Sequence, residues 1–327
     1  MKEDALNFLK NLKGSVKIVT HRDVDGVCAL AILLKFLEKR EIKEEHKFVE
    51  VYIDNLSKKE QMIFLDLGLD NIARFVSSKT LVIDHHPYSN KIDNITFYNP
   101  RETDKNAYLP ASYLVYEVVS EIENIENLKW IAAVGVVGDR GDLNSEICRN
   151  FIKEFRKEDL ELASRYIFSA ELLDRDEGLE KVLQILKNSK NLDEFLSNRY
   201  LKECYKKIQN ALASLKKKIE KENNIIFVEL YTKLNLKSIV ASQFLEKYEN
   251  SVVVVYYLRG DYYYISARTN TDIDLGKVFK NVAETLGCPG GGHEKAAGAR
   301  VNADKIEIFK EELISAIKTE EESNKNN

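Results

Sequence analysis

The sequence predicts an α/β protein with a parallel-sheet N-terminal domain, a helical linker and a smaller mixed α/β C-terminal domain. Three observations predict it. Short β-branched runs alternate with apolar helical stretches between Val16 and Val137, the pattern of a sheet wound through crossover helices. Residues 151–223 read as helical without a strand signal, and strand patterns return after Asn224. At 327 residues the chain exceeds what one core usually serves. The expected divisions are a domain over 1–190, a linker over 191–223, a second domain over 224–318 and a disordered polar tail over 319–327.

Taken in order, Val16 to Thr20 is a buried strand, and Val27 to Leu37, apolar almost all round, is a helix packed against the sheet. Further strands are expected at Phe48–Asp54, Met62–Leu67, Thr80–Ile83 and Ile95–Tyr98. Helices follow at Ala111–Ile122 and Trp130–Val137, the second ending at Gly138-Asp139-Arg140-Gly141. Leu201, Tyr205, Ile208, Leu212, Leu215 and Ile219 repeat with a heptad rhythm and predict one continuous helix, read as a linker packing on its own domain. In the C-terminal half, Ile225–Tyr231 is a strand and Ser238–Tyr248 a helix. Ser251–Leu258 and Tyr262–Arg268 form a hairpin. Helices follow at Leu275–Leu286 and at about Asp304–Lys318.

Composition excludes several classes. A net charge of −4 gives no global basic field, although a local basic groove remains open. Cys28, Cys148, Cys204 and Cys288 are scattered, which argues against a disulfide framework or zinc knuckle and fits a reducing cytoplasm. The N-terminus has no apolar signal core, and no run is long enough to cross a bilayer, so no membrane partner is expected.

Four of the five histidines fall in three short motifs. His46, in Glu44-Glu45-His46-Lys47, is left over and reads as a solvated surface residue. In His21-Arg22-Asp23-Val24-Asp25-Gly26, residues two apart on an extended segment point the same way and can face one cation or two. The weaker alternative is that the same residues form an acidic helix N-terminus. Asp66, in Phe64-Leu65-Asp66-Leu67-Gly68, is a turn former or a bridge between metals. Asp84-His85-His86-Pro87 follows a buried strand, where adjacent imidazoles need to be ligands or hydrogen-bonded, and a carboxylate beside them can orient a ligand. Asp139 could be a ligand or part of a helix-end turn, and Asp142 competes with it. His21, Asp23, Asp25, Asp66, Asp84 and His85 all follow predicted strand ends, where parallel sheets place their ligand sites. Gly290-Gly291-Gly292-His293 reads as a backbone cradle for phosphate, with a helix starting near Glu294 to add its dipole. Arg268 is a second phosphate-binding candidate.

In this order the motifs resemble the DHH phosphoesterase superfamily with its DHH-associated C-terminal domain, most of all archaeal RecJ-like nucleases. The segments 20–26, 64–68, 82–87, 137–139 and 290–293 match its successive signatures. The resemblance implies two manganese ions in a cleft between the lobes, with magnesium or cobalt as substitutes. His21, Asp23 and Asp66 would bind the first ion. Asp25, Asp66, His85 and Asp139 would bind the second, with Asp66 bridging. Asp84 would support the ligands and His86 would face the scissile phosphate, while Arg268 and Gly290–His293 would hold substrate. The implied activity is hydrolysis of single-stranded DNA or RNA from an end to nucleoside 5′-monophosphates, with a replication or repair protein as the implied partner. Short oligonucleotides, cyclic dinucleotides or 3′-phosphoadenosine phosphates are the alternative substrates. No oligonucleotide-binding barrel follows residue 318, which puts processive digestion of long strands in doubt.

Overall fold

The computed structural model describes residues 1–50, 53 and 55–325, apart from the side chains of His293, Ser323, Asn324 and Lys325. It divides into two compact units, Met1–Ile208 and Gln209–Asn327.

In the first unit, helix α1 (Lys2–Asn11) leads into strand β1 (Ser15–His21), helix α2 (Val24–Lys39) and β2 (Lys43–Val49). Then come β3 (Met62–Leu65), the short α3 (Leu69–Ile72), β4 (Thr80–Ile83) and β5 (Thr96–Tyr98). The remainder is helical: α4 (Ala111–Ser120), α5 (Lys129–Gly138), α6 (Gly141–Asn144), α7 (Glu146–Phe151), α8 (Lys157–Asn188), α9 (Leu192–Ser197) and α10 (Arg199–Ala213). The five strands form one sheet in the order β2-β1-β3-β4-β5, parallel throughout. Its three central strands, β1, β3 and β4, are buried on both faces, as such a sheet requires. Ile18, Ile63 and Leu81 join a core with α2, α4, α5 and α8. Val19, Phe64 and Val82 point the other way, into a second core with Leu69, Ile72 and Phe75.

The second unit carries β6 (Lys216–Glu222), β7 (Ile225–Tyr231), α11 (Lys237–Leu245), β8 (Val252–Arg259), β9 (Tyr262–Thr269), α12 (Leu275–Leu286), β10 (Gly290–His293), β11 (Ala296–Asn302) and α13 (Ile306–Lys325). Its sheet runs β10-β11-β9-β8-β7-β6, with β7 and β8 parallel and the other pairs antiparallel. Phe279 and Phe309 cap one face of that sheet over Val254 and Ile265.

Several expectations need correction. The second strand is Lys43–Val49, not Phe48–Asp54; it is an edge strand, so its polar Lys-Glu-Glu-His-Lys run gives no buried pattern. Val51, Tyr52 and Asp54 from that expectation lie outside the described residues. The heptad seam is two elements. Leu201 and Ile208 are buried on α10, whereas Ile219 is 44% exposed and lies in β6 opposite Val228. A strand thus occupies the end of the expected helical linker, and α9 and α10 place Phe195, Leu201 and Cys204 in the first unit's core. The polar tail is helical through Lys325, because Glu320 meets Lys277 and Glu321 accepts from Asn224. His46 is not solvated: its ring sits between Glu44 and Glu180 at 2.8 and 3.0 Å.

Candidate metal centre

The strand ends of the first sheet converge as parallel topology requires. His21 is the last residue of β1. Asp23 is the N-cap of α2 and accepts from the Gly26 amide at 2.9 Å. Gly26 has no alternative, because a Cβ there would lie 2.3 Å from the His21 carbonyl oxygen. Asp25 sits in the first turn of α2, and both its oxygens are engaged at the start of α4, by the Ala111 amide at 2.6 Å and the Ser112 amide at 2.9 Å. These are donors that a helix start leaves unpaired. Asp23 thus caps a helix, as the N-terminal reading expects, and it also belongs to a candidate ligand set. Asp66 follows β3 with a left-handed φ of 57°, which turns its side chain back into the pocket. Asp84, His85 and His86 follow β4, and Asp139 caps the C-terminus of α5.

The side chains approach closely. His21 Nδ1 lies 2.9 Å from Asp23 and 3.6 Å from Asp66. His85 Nε2 lies 3.2 Å from Asp66 and 3.5 Å from Asp139. Three sets each have ligand atoms within 4.8 Å of one another: His21, Asp23 and Asp66; Asp25, His85 and Asp139; and Asp66, His85 and His86. Asp66 belongs to two of them. Asp142 lies elsewhere, paired with Lys157 at 2.6 Å.

A buried polar atom ordinarily has a hydrogen-bond partner. Here His21 Nδ1, both Asp66 oxygens, Asp84 Oδ2, both His85 nitrogens and Asp139 Oδ2 are buried with none. The distances are short but misaligned for hydrogen bonding. Lone pairs and carboxylate oxygens aimed into a common space are the donor set of a hard divalent cation, so the residues fit the metal that the sequence implies. The electrostatics agree. Burial, then Asp66, push Asp25 up to about 7. Burial and Asp23 push Asp66 up to about 7. Burial raises Asp139 to about 8 against the pull of His85, with Asp25 and Asp66 adding to the rise. Burial works against the charged form of His21, yet Asp23 and Asp66 hold its pKa well above the ordinary value. Burial also opposes ionisation of Asp23, but His21 keeps it below the usual carboxylate range. This excess of buried acid is the environment a cation relieves.

His86 differs from the others. It is part-exposed, and its Nδ1 donates to Asp84 Oδ1 at 2.8 Å. Burial disfavours its charge, but Asp84 raises it to about 10.

Sequence reasoning missed the buttress of this site. Asn99 Nδ2 donates to the His86 carbonyl at 2.9 Å and Arg101 Nε to the His85 carbonyl at 2.7 Å. Both follow the end of β5, so the strand-end rule applied once more would have found them. Tyr108 donates its hydroxyl to the Asp139 carbonyl at 3.1 Å and sets its ring edge-on to His85, with centroids 5.2 Å apart. Arg22 is held by Glu171 and Asp176, each at 2.9 Å, on either side of a break in α8 at Arg175.

In the second unit, Arg268 stands next to the end of β9 and donates to Ser266 Oγ and the Ala267 carbonyl. Gly290–His293 is strand β10, not a loop before a helix, and Glu294 lies in the turn to β11, so no helix dipole acts there. The glycines serve close packing: a Cβ at Gly292 would meet the Ala296 carbonyl oxygen at 2.4 Å. His293 pairs with Ala296, which pairs with Arg268 across β11. The His293 side chain is outside the described residues. A cavity of about 540 Å³ beside this hairpin is lined by Lys277, Lys280, Asn281, Gly291 and Gly292, among others.

Comparison with known proteins follows the same division. Residues 15–137 match the DHH family, N-terminal domain, and residues 222–319 match the DHHA1 domain. An uncharacterized protein of Methanocaldococcus jannaschii is 36% identical over 118 residues, which is 35% of this chain and 26% of that protein. The matched stretch thus spans about a quarter of that relative. Among solved structures, exonuclease RecJ bound to manganese is similar with a TM-score of 0.69 at 17% identity, over 96% of this chain and 94% of that one. A pGpG-specific phosphodiesterase from Vibrio cholerae is similar with a TM-score of 0.53 at 16% identity, over 93% of this chain and 99% of that one. Those two likenesses are of fold. With the DHH N-terminal domain followed by the DHHA1 domain on a RecJ-like architecture, the chain belongs to the DHH phosphoesterase superfamily.

Proposed function

We propose that this protein is a metal-dependent phosphodiesterase that removes terminal nucleotides from single-stranded DNA or RNA as nucleoside 5′-monophosphates. The observation that carries this reading is the set of buried, unpartnered ligand atoms on His21, Asp66, His85 and Asp139. His21, Asp23 and Asp66 would hold one divalent ion, and Asp25, Asp66, His85 and Asp139 a second, with manganese the favoured metal. Bound there, the ions neutralise the phosphate and make a water molecule acidic enough to attack near neutral pH.

The chain's own groups do the rest. Water adds to phosphorus, the bond to the sugar 3′-oxygen breaks, and a proton ends on that oxygen. Asp84 fixes His86 through Nδ1 and leaves Nε2 to donate to a phosphate oxygen. The amides at the start of α4 orient Asp25. Asn99 and Arg101 fix the backbone of His85 and His86. Arg268 and the Gly290–His293 hairpin are assigned to substrate phosphate.

The test is product analysis with manganese on a 5′-labelled single strand, a short oligoribonucleotide and a cyclic dinucleotide. Mononucleotides from the strand, lost by at least about 100-fold in Asp84→Ala, are expected. Turnover confined to the short or cyclic substrates would overturn the strand reading in favour of the second one. That second reading, a small-substrate phosphodiesterase, is supported by the fold likeness to the pGpG-specific enzyme over nearly its whole length.

A further inference from the structure

The second unit's sheet presents two faces, and their charges are treated differently. On β6, Lys218 and Glu220 face the side where Lys310 and Glu307 lie. There Glu220 pairs with Lys218 at 2.6 Å and Lys310 at 3.1 Å, and Lys318 approaches Glu222 at 3.9 Å. The lysines of the other face have no such neutralisation. Lys217 and Lys221 point, by the two-residue alternation of a strand, to the side covered by α11. Lys221 lies 4.2 Å over the Tyr248 ring and Lys217 5.8 Å over the Phe244 ring. Lys247 approaches the same Phe244 ring at 6.0 Å. All three are exposed, and among the described residues none has a carboxylate within ion-pair distance.

This face also holds Arg268. Lys221 pairs with Ile226, Ile226 with Val253, and Val253 with Arg268, so Lys221 and Arg268 stand at two ends of one cross-sheet row. Three strand spacings separate their backbones, roughly 14 Å. Helix α11 covers the middle of the face. It is fastened near Arg268 by Ser238 and Ser266, whose hydroxyls lie 3.3 Å apart, and it ends beside the lysines at Phe244 and Tyr248. Aromatic rings beneath ammonium groups hold those charges in place without cancelling them. What fits such a row is a chain of phosphates: one at Arg268 and others beyond it at the β6 margin.

We propose that Lys217, Lys221 and Lys247 form a subsite for the phosphodiester backbone of single-stranded nucleic acid, engaged several nucleotides from the phosphate at Arg268. The proposal rests on the proposed assignment of Arg268 to substrate. It makes the substrate a strand longer than a dinucleotide. A dinucleotide whose one phosphodiester sits at Arg268 has no second phosphodiester to offer these lysines.

The experiment measures binding of a labelled single strand several nucleotides long, and of a labelled dinucleotide, to the full chain in chelator across a salt series. Turnover of both with manganese is followed in parallel. The variant is Lys217→Glu with Lys221→Glu, and the milder pair Lys217→Gln with Lys221→Gln guards against misfolding. Lys318→Glu on the neutralised face is the control. Two lost phosphate contacts lower the slope of log affinity against log salt by about 1.4, and strand affinity at low salt falls about tenfold. Dinucleotide affinity and the Lys318→Glu control stay within twofold of wild type. Unchanged strand affinity and slope in the charge-reversed variant would overturn the subsite, as would an equal loss for the dinucleotide. Wild-type protein that binds the strand through these lysines but cleaves neither substrate would sink the proposed hydrolysis and leave the subsite standing.

Discussion

Replacing Asp66 by asparagine should make the metal-free protein more stable and the metal-loaded protein less so. Asp66 is buried, has two unpartnered oxygens and is pushed up to about 7 from 3.8. At pH 8 it is ionised in both folded and unfolded chains. The shift of about three pH units then represents about 4 kcal/mol of stability lost to that charge. Local relaxation reduces this, so about 2 kcal/mol is the expected gain from Asp66→Asn in chelator, or roughly 4–8 °C in the melting of a unit this size. The size of the gain depends on pH. A carboxyl raised in the fold contributes stability below its unfolded pKa and loses it as pH rises through the folded value. At pH 5 the gain should therefore be less than half that at pH 8. Asparagine tolerates the left-handed φ of 57° and keeps the backbone bond from the residue 66 amide to the Ile83 carbonyl, so conformation is not the variable. With manganese at about 100 times its dissociation constant, wild type gains about 2.7 kcal/mol, and the variant, missing an anionic ligand from two of the three sets, should gain little. The assay is thermal unfolding at pH 5 and 8, in chelator and in manganese. A variant that melts below wild type in chelator at pH 8 would refute the reasoning, and so would an undiminished manganese shift.

Two further outcomes are expected. Tyr108→Phe, which keeps the ring on His85 but removes the bond to the Asp139 carbonyl, should weaken manganese binding by about tenfold in calorimetry, and Tyr108→Leu by more. Equal affinity in all three proteins would show that Tyr108 merely fills space. In chelator, the melting temperature of wild type should fall as pH rises from about 5 to 9, because Asp25, Asp66 and Asp139 are raised to about 7, 7 and 8 and His86 to about 10. Every one of these groups loses its stabilising contribution as it deprotonates. Saturating manganese should flatten or reverse that trend, since binding requires the deprotonated carboxylates; parallel curves would contradict it.

The convergence of the candidate ligands was legible because parallel topology does the aiming. Once β1, β3 and β4 are read as neighbouring strands, His21, Asp66, Asp84 and His85 must leave their carboxyl ends on the same side, whatever the details. Elements were misread where local pattern and local structure part company. Lys43–Val49 is a strand because β1 needs a neighbour at the edge, and an edge strand carries no hydrophobic signature. Leu215 and Ile219 continue a helical spacing from Leu212 by coincidence, while pairing with β7 decides the structure of residues 216–222. A run of glycines has no side chains to alternate, so β10 could be recognised only through its partner β11.

The buttress of the site was hidden for a different reason. Tyr108 and Asp139 are 31 residues apart, and Asp25 and Ala111 are 86 apart, so no window of sequence contains both partners. Yet Tyr108, Ala111 and Ser112 lie within one short segment, and together they touch Asp139, His85 and Asp25, all three members of one ligand set. The turn into α4 thus organises that set, whereas the set of His21, Asp23 and Asp66 is made by β1, β3 and the start of α2. The candidate ligands are written in motifs, and their orientation in contacts between distant segments. Substitutions in 108–112 should therefore perturb the two ligand sets unequally, although no residue of that segment was a candidate from the sequence.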